Sequence, residues 1–354
     1  MKDRGLLLIY PNLFSTRHTA IQEKFRMKYR IVNLDPHQHK FGPYLEKARK
    51  GMEFEVVAQH GDSTEEILGL VRDAHAIFAV STQLTAEIIG QLKKCIVIGR
   101  PGIGTDNVDH HAATKHGIVV TFLPDFCIEE VADHTLGLIL TLYRKIAFLD
   151  RRVRDGYWGI DEAFPLHRLR DRILGLVAFG NIARNVATKA KVFGMEIIAY
   201  DPHVTPEIFA KHGTRQVELD ELMSRADYVS LHTPLLPDTR HMINRDKLAL
   251  MKPTAYLVNT ARGGVVDEAA LIEVLREKRI AGAGLDCIDP EPPNPDNPLF
   301  KMDHVVLTPH CGACSDESMK DYRQRACEHI ADVLKGIRPQ HIRNPEVLEK
   351  VKLR

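Results

Sequence analysis

Through the first third of the chain, short apolar runs alternate with segments whose apolar residues recur at helical spacing. Candidate strands are Leu6–Ile9, Phe54–Ala58, Ala76–Val80, Cys95–Ile98 and Ile118–Thr121. Ser63, with Glu66 three residues on, forms a capping box ahead of Ile67, Leu68 and Val71, which marks a helix start. Strands alternating with helices predict a parallel α/β sheet. The stretch from about Lys28 to Lys50, rich in His, Lys and Pro, breaks the rhythm and reads as an insertion or an extra helix pair. A second series opens at Ile173. An apolar run to Val177 gives way to the turn Ala178-Phe179-Gly180. A segment with Ile182, Val186, Ala190 and Phe193 on one face follows, then a second run from Ile197 to Tyr200 that ends in Asp201. Further strands are predicted at Tyr228–Leu231, Ala255–Val258, Ala281–Leu285 and Val305–Leu307, and a last helix from an N-cap at Ser315 to about Gly336. Between the two series runs a long apolar-rich helix to about Leu149, then the basic, aromatic RRVRDGYWGI with the only tryptophan, Trp158. Such a pairing marks a domain connection or a subunit contact. It places the first domain boundary near Phe122–Asp125.

Composition narrows the classes. A chain of 354 residues predicts about two domains, each able to bury its own core. A formal charge of +1 gives no electrostatic reason to expect nucleic acid or an anionic membrane as partner. The run in MKDRGLLLIYPN is too short for a signal peptide and reads as a first buried strand. No stretch approaches the roughly 18 apolar residues of a membrane span. Six cysteines without a short framework predict reduced thiols and a cytoplasmic setting. Cys311-Gly-Ala-Cys314 has redox-motif spacing but opens no helix in a thioredoxin-like setting, and no second ligand pair for zinc accompanies it. We read two small residues in a turn, and His110-His111 as a helix surface. No metal is expected.

The chemistry is predicted at strand ends. Strand, tight turn, helix, strand, acid is the layout that holds a dinucleotide, its pyrophosphate on N–H groups at the helix start and the acid on the adenosine ribose. The turn reads A-x-G-x-x-A rather than G-x-G-x-x-G, so an ordinary strand–helix–strand crossover stays open on this stretch alone. The later strands end in His232-Thr-Pro, Asn259-Thr-Ala-Arg262, Asp286 and Thr308-Pro-His310, and ligands of open parallel sheets bind at carboxyl ends of strands. Histidine takes or gives the hydroxyl proton in hydride chemistry. A carboxylate on its far nitrogen, proposed here as Glu291, fixes the tautomer. An arginine fork, Arg262, binds a carboxylate and polarises the adjacent carbonyl. Arg100-Pro-Gly-Ile-Gly-Thr-Asp-Asn-Val-Asp109 is either a tight turn with Asp106 or Asn107 capping the next helix, or a cradle whose N–H groups at Gly102 to Gly104 hold a carboxylate.

VNTARGGVVDE, AGLD followed by DPEPP, LTPHCGA, RPGIGTDNVD and MKPTAYLVNTARGG together resemble the D-isomer-specific 2-hydroxyacid dehydrogenases over nearly the whole chain. PDFCIEEVADHTL, RRVRDGYW and FGNIAR look most like the branch of C-terminal-binding proteins and their dehydrogenase relatives, with 3-phosphoglycerate dehydrogenases next. The resemblance implies two Rossmann/flavodoxin-like α/β domains with parallel sheets and an interdomain cleft. Residues 1–124 and 310–354 would form the discontinuous substrate domain, and 125–309 the NAD-binding Rossmann domain. It implies that Arg262 binds the substrate, His310 is general acid/base and Glu291 its partner. Gly180, Asn181 and Ile182 would meet the pyrophosphate, Asp201 the ribose, and Thr233, Thr260, Ala261 and Asp286 the rest of the NAD. Arg100, Gly102, Ile103 and Gly104 would contact substrate, and a homodimer would form through the region near 128–158. Asp201, with no arginine in Pro202-His203-Val204, favours NAD over NADP. Ala183 needs only close packing, whereas Ala178 tolerates its Cβ only at ordinary backbone angles. The loop Phe78-Ala-Val-Ser-Thr82 lacks the second arginine of the phosphoglycerate enzymes, which predicts a small or medium unphosphorylated 2-oxo acid reduced to a D-2-hydroxy acid. The alternative is an NAD(H)-sensing binding protein of the C-terminal-binding type.

Overall fold

The computed structural model describes residues 28–36, 40–48 and 51–354; the strand predicted at Leu6–Ile9 lies outside them. The chain divides into two compact units, Met1–Pro124 with Lys320–Arg354, and Asp125–Met319. Residues 310–319 therefore fall in the second unit.

The first unit holds a parallel sheet of β1 (Lys28–Asn33), β2 (Glu53–Ala58), β3 (Ala76–Phe78), β4 (Val97–Gly99) and β5 (Val119–Thr121), in the order β2-β1-β3-β4-β5. The stretch read as an insertion thus supplies strand β1 and the helix Gly42–Ala48. Its first half hid the strand because Lys28, Tyr29 and Arg30 are not buried; Lys28 and Arg30 pair with Glu55 of β2. Only Ile31, Val32 and Asn33 reach the core. The predicted cap at Ser63 forms, its hydroxyl accepting from the Glu66 N–H. The cap after the glycine segment is Asp109, not Asp106 or Asn107, and accepts from the Ala112 N–H. Of the two histidines read as a helix surface, His111 is exposed but His110 is half-buried, with its Nε2 buried and its pKa pushed down by burial.

The second unit is a parallel seven-stranded sheet: β6 (Ile173–Val177), β7 (Glu196–Tyr200), β8 (Arg215–Gln216), β9 (Tyr228–Leu231), β10 (Tyr256–Asn259), β11 (Gly282–Leu285) and β12 (Val305–Leu307). Its order is β12-β11-β10-β9-β6-β7-β8. The chain runs outward from β6 to β8, then returns to β9 on the other side of β6, so β6/β9 is the topological switch point. Alternate residues feed two cores. Leu174, Leu176, Ile197 and Ala199 enter one, while Val177, Ile198 and Leu257 enter the other. A sheet covered on both faces needs such continuous apolar strands. The long helix is two, Ile128–Tyr143 and Ile146–Arg154, broken at Lys145, whose φ is +53°. Ser315 caps the helix Asp316–Leu334 through the Ser318 N–H.

Candidate active site

At the β6/β9 switch point, β6 ends in Ala178, whose N–H donates to the Tyr200 carbonyl of β7. Phe179 is fully buried, stacked on Phe209 with ring centres 4.8 Å apart. Its N–H donates to Asp201 Oδ2 at 2.8 Å, and the His203 N–H donates to Oδ1 at 2.9 Å. The acid after β7 therefore ties the turn after β6. Gly180 sits at the N-cap of the helix Asn181–Val192, with open space where a Cβ would project. No side chain caps that helix, and its first internal bond is Arg184 N–H to the Gly180 carbonyl. The N–H groups of Asn181, Ile182 and Ala183 are thus left for a ligand, the geometry that receives a pyrophosphate. Ala178 departs from expectation: its φ is +70°, where a Cβ crowds the carbonyl and costs about 1 kcal/mol. Ala178→Gly should raise the thermal midpoint by about 2–4 °C, the shift expected for ~1 kcal/mol in a domain of this size. A lower midpoint in that variant would show that the turn carries no strain.

The carboxyl ends of β10, β11 and β12 lie side by side. Asn259, at the end of β10, fixes the next loop from within: its amide donates to the Arg262 carbonyl at 2.8 Å, and its Oδ1 accepts from the Ala261 N–H at 3.0 Å. Arg262 Nη1 donates to the Ala261 carbonyl at 2.8 Å. Gly263 then passes so close to the β11 loop that a Cβ would lie 2.0 Å from the Ile288 carbonyl carbon and oxygen. That loop carries Glu291. Its Oε1 accepts from the Ile288 N–H at 3.2 Å, and its Oε2 meets His310 Nδ1 at 2.7 Å.

Asp286, at the end of β11, holds the His310 loop. Its carbonyl accepts the His310 N–H. Its carboxylate accepts from Thr308 Oγ1 at 2.6 Å and from the N–H groups of Cys311 and Gly312 at 2.9 Å each. Because the Thr308 proton points to Asp286, His134 Nε2 donates to Thr308 Oγ1 at 2.8 Å. Burial pushes the Asp286 carboxyl up, but the bonds from His134, Thr308, Gly312 and Cys311 outweigh it and hold it at about 2. His310, at φ +51°, is kept in the left-handed region by these bonds on both sides. His134 was not foreseen from the sequence: it follows Glu129, Glu130 and Asp133 in the polar first half of its helix and carries no distinguishing signal.

The other predicted residues distribute as follows. Thr260 Oγ1 lies 2.9 Å from Thr135 Oγ1. Thr233 is buried after β9, next to His232, whose ring burial pushes down to about 4. Cys311 and Cys314 share a turn through the Cys314 N–H, and burial pushes the Cys311 thiol up. Among the described residues, two sets could offer metal-ligand atoms, His134/Asp286/Cys311 and Cys287/Glu291/His310, and both overlap the hydrogen-bonded groups just described.

Arg100, Gly102, Ile103 and Gly104 belong to the first unit, after β4. Arg100 Nε donates to Asn107 Oδ1 at 3.1 Å. Its Nη1 lies 1.8 Å from where a Gly102 Cβ would stand, so this glycine makes room for the guanidinium. Among the described residues, the N–H groups of Gly102, Ile103 and Gly104 have no acceptor.

Residues 136–312 match the family model for the D-isomer specific 2-hydroxyacid dehydrogenase, NAD binding domain. The chain is 40% identical over 301 residues to a D-3-phosphoglycerate dehydrogenase of Methanocaldococcus jannaschii, covering 84% of this chain and 57% of that one. It is 39% identical over 293 residues to a glyoxylate reductase of Korarchaeum cryptofilum, covering 81% and 88%. A crystal structure of D-lactate dehydrogenase from Aquifex aeolicus, complexed with NAD and lactic acid, superposes with a TM-score of 0.78 at 28% identity, over 91% of this chain and 98% of that one. The chain belongs to the D-isomer-specific 2-hydroxyacid dehydrogenase family, and NAD is the cofactor of its second unit. It spans a little over half the length of the phosphoglycerate dehydrogenases it matches. Among the described residues, no helix is long and apolar enough to cross a membrane.

Proposed function

We propose that the protein reduces a small or medium unphosphorylated 2-oxo acid to the D-2-hydroxy acid with NADH, and runs the reverse reaction with NAD. The observation that carries this is the His310 Nδ1–Glu291 Oε2 bond of 2.7 Å on a strand-end rim that also carries Arg262. Bound NADH supplies the hydride. Gly180, Asn181 and Ile182 hold its pyrophosphate and Asp201 its ribose, with Thr233, Thr260, Ala261 and Asp286 along the remainder. The Arg262 fork grips the substrate carboxylate and polarises the carbonyl; Arg100 and the Gly102–Gly104 amides are the substrate contacts proposed for the first unit. With Nδ1 fixed on Glu291, His310 gives the proton from Nε2 as the carbonyl oxygen gains charge, and takes it back in reverse. Asp286 keeps His310 in place by binding its N–H, the Thr308 hydroxyl before it and the Cys311 and Gly312 N–H groups after it.

NADH consumption against a panel of 2-oxo acids tests the reading. NADH binding without turnover on any of them would favour the NAD(H)-sensing alternative, and far better reduction of 3-phosphohydroxypyruvate would refute the unphosphorylated substrate. We further propose a cytoplasmic homodimer. No disulfide joins any of the six cysteines, which suits a reducing compartment. Trp158 is 89% exposed and Ile160 71%, on an arm whose Phe148 and Pro165 help wall a cavity of about 400 Å³ with Tyr228 and Tyr256. Large apolar side chains left exposed in this way are what a second copy can cover. A monomer by light scattering would remove this part.

A further inference from the structure

The strand-end rim of the second unit carries more sulfur than the proposed reaction uses. Four of the six cysteines stand there: Cys287 after β11, Cys311 and Cys314 after β12, and Cys127 at the start of the helix Ile128–Tyr143. Cys127 and Cys287 are buried, Cys311 is partly exposed and Cys314 is exposed. Burial pushes the Cys127 thiol up to about 12, which makes it an inert apolar side chain. The pair that solvent reaches is Cys311 and Cys314.

These two are the ends of one tight turn. The Cys314 N–H donates to the Cys311 carbonyl at 2.9 Å, and such a turn brings its first and fourth Cα atoms within about 7 Å. A disulfide spans roughly 4.4–6.8 Å between Cα atoms, so the backbone already holds the pair at bonding reach. Burial, Asp286 and Cys314, in that order, push the Cys311 thiol up. It stays protonated, and the exposed Cys314 is the thiol that reacts first.

The turn is coupled to His310 without slack. Cys311 is the next residue along the chain. Its N–H and that of Gly312 bind the Asp286 carboxylate at 2.9 Å each. Its Sγ lies within 4.8 Å of an Asp286 carboxylate oxygen and a His134 ring nitrogen. A Cβ at Gly312 would stand 2.9 Å from Asp286 Oδ2 and 3.3 Å from the His134 ring, so the turn has no room to settle closer to them. His310 itself sits at φ +51°, a conformation that these bonds maintain.

We infer that Cys311 and Cys314 form a modification site for hydroperoxides, closing to a disulfide that draws the turn away from Asp286 and reversibly switches off turnover at His310. The inference rests on the proposed function above, in which His310 carries the proton. The Cys314 thiolate attacks the terminal oxygen of the hydroperoxide; the O–O bond breaks, the alkoxide leaves as the alcohol with the thiol's proton, and Cys314 becomes a sulfenic acid. The Cys311 sulfur then attacks the sulfenic sulfur. The S–S bond forms, and the departing hydroxide takes the Cys311 proton away as water. Two thiols lose two electrons in all, and the O–O bond gains them. A dithiol reductant reverses the closure by exchange. With the Cys311 sulfur drawn toward Cys314, the Cys311 and Gly312 N–H groups turn off the carboxylate, and His310 loses the bonds that fix it.

The test treats the whole chain with tert-butyl hydroperoxide. It follows NADH-dependent reduction of a 2-oxo acid from the panel, alongside peptide mapping of the disulfides by mass spectrometry. The oxidised wild type should carry a Cys311–Cys314 bond and lose at least tenfold in kcat, and dithiothreitol should restore both thiols and rate. Cys314→Ser should match the untreated wild type within twofold and keep that rate after the same treatment. Should Cys314→Ser not fold, Cys314→Ala is held to the same outcome. A Cys311–Cys314 bond without loss of kcat, equal inactivation of the Cys314 variant, or closure of a different pair such as Cys127–Cys314 overturns the inference. So does a wild type whose two thiols survive the treatment. A wild type that reduces no 2-oxo acid refutes the underlying reading instead, and the disulfide map then still decides whether the pair closes.

Discussion

Replacing His310 by alanine lowers turnover by roughly a hundred- to ten-thousandfold, the scale on which a positioned general acid/base acts. The expectation follows from how completely the ring is fixed. Glu291 holds Nδ1 at 2.7 Å and is itself held by the Ile288 N–H. The backbone N–H of His310 is bound to the Asp286 carbonyl, and those of Cys311 and Gly312 to its carboxylate. One ring nitrogen is committed, so the other is left for the substrate oxygen. The dinucleotide turn lies at β6 and β7, so the variant should bind NADH as the wild type does. Fluorescence titration with NADH and a steady-state assay separate the two effects. Turnover within a factor of a few of wild type would remove His310 from the mechanism.

Gly263→Ala should be nearly as damaging, although no atom of Gly263 takes part in the chemistry. An added Cβ would lie 2.0 Å from the Ile288 carbonyl group and 2.6 Å from the Asp289 nitrogen. Both neighbours are backbone, so no side chain can swing aside. The loops after β10 and β11 must separate, and they carry Arg262 and Glu291. Misplacement by about 1 Å at such a site can cost a hundredfold in rate. Overpacking of this kind also destabilises by about 1–3 kcal/mol. We expect kcat/KM to fall by about a hundredfold or more while the thermal midpoint drops by several degrees. A folded variant with activity within twofold of wild type would show that the two loops need not touch. Gly180→Ala, by contrast, meets open space in the protein.

The fold was legible where burial is two-sided. The strands of the second unit other than β8 are apolar runs because both of their faces are covered, and their predicted positions lie within one or two residues of those observed. Strand β1 escaped notice because half of it lies outside the core and is held by charge pairs to β2. Strand β8 is two exposed residues, Arg215 and Gln216, at the sheet's edge, and carries no hydrophobic signal. The break at Lys145 could not be read because a lysine at positive φ has no sequence mark as glycine does. The strand-end rim could be foreseen, since parallel strands all finish at one edge. The supporting bonds could not. His134 reaches Thr308 across 174 residues, and Asp35 reaches the β3 loop across 45 to 47. Only the topology creates such pairs.

Under the proposed function Asp201 would serve twice, and that bears on how cofactor preference could evolve. A change to NADP requires removing the carboxylate that would repel a 2′-phosphate. Here the same carboxylate also ties the Phe179 N–H across from β7, next to a residue already at positive φ. A neutral side chain too short to make that bond would relax the electrostatic barrier and loosen the phosphate-binding turn in one step. The coenzyme choice is therefore buffered against single mutations. Drift toward NADP would have to pass through a weak binder of both dinucleotides, unless glycine first replaced Ala178 and made the turn self-supporting.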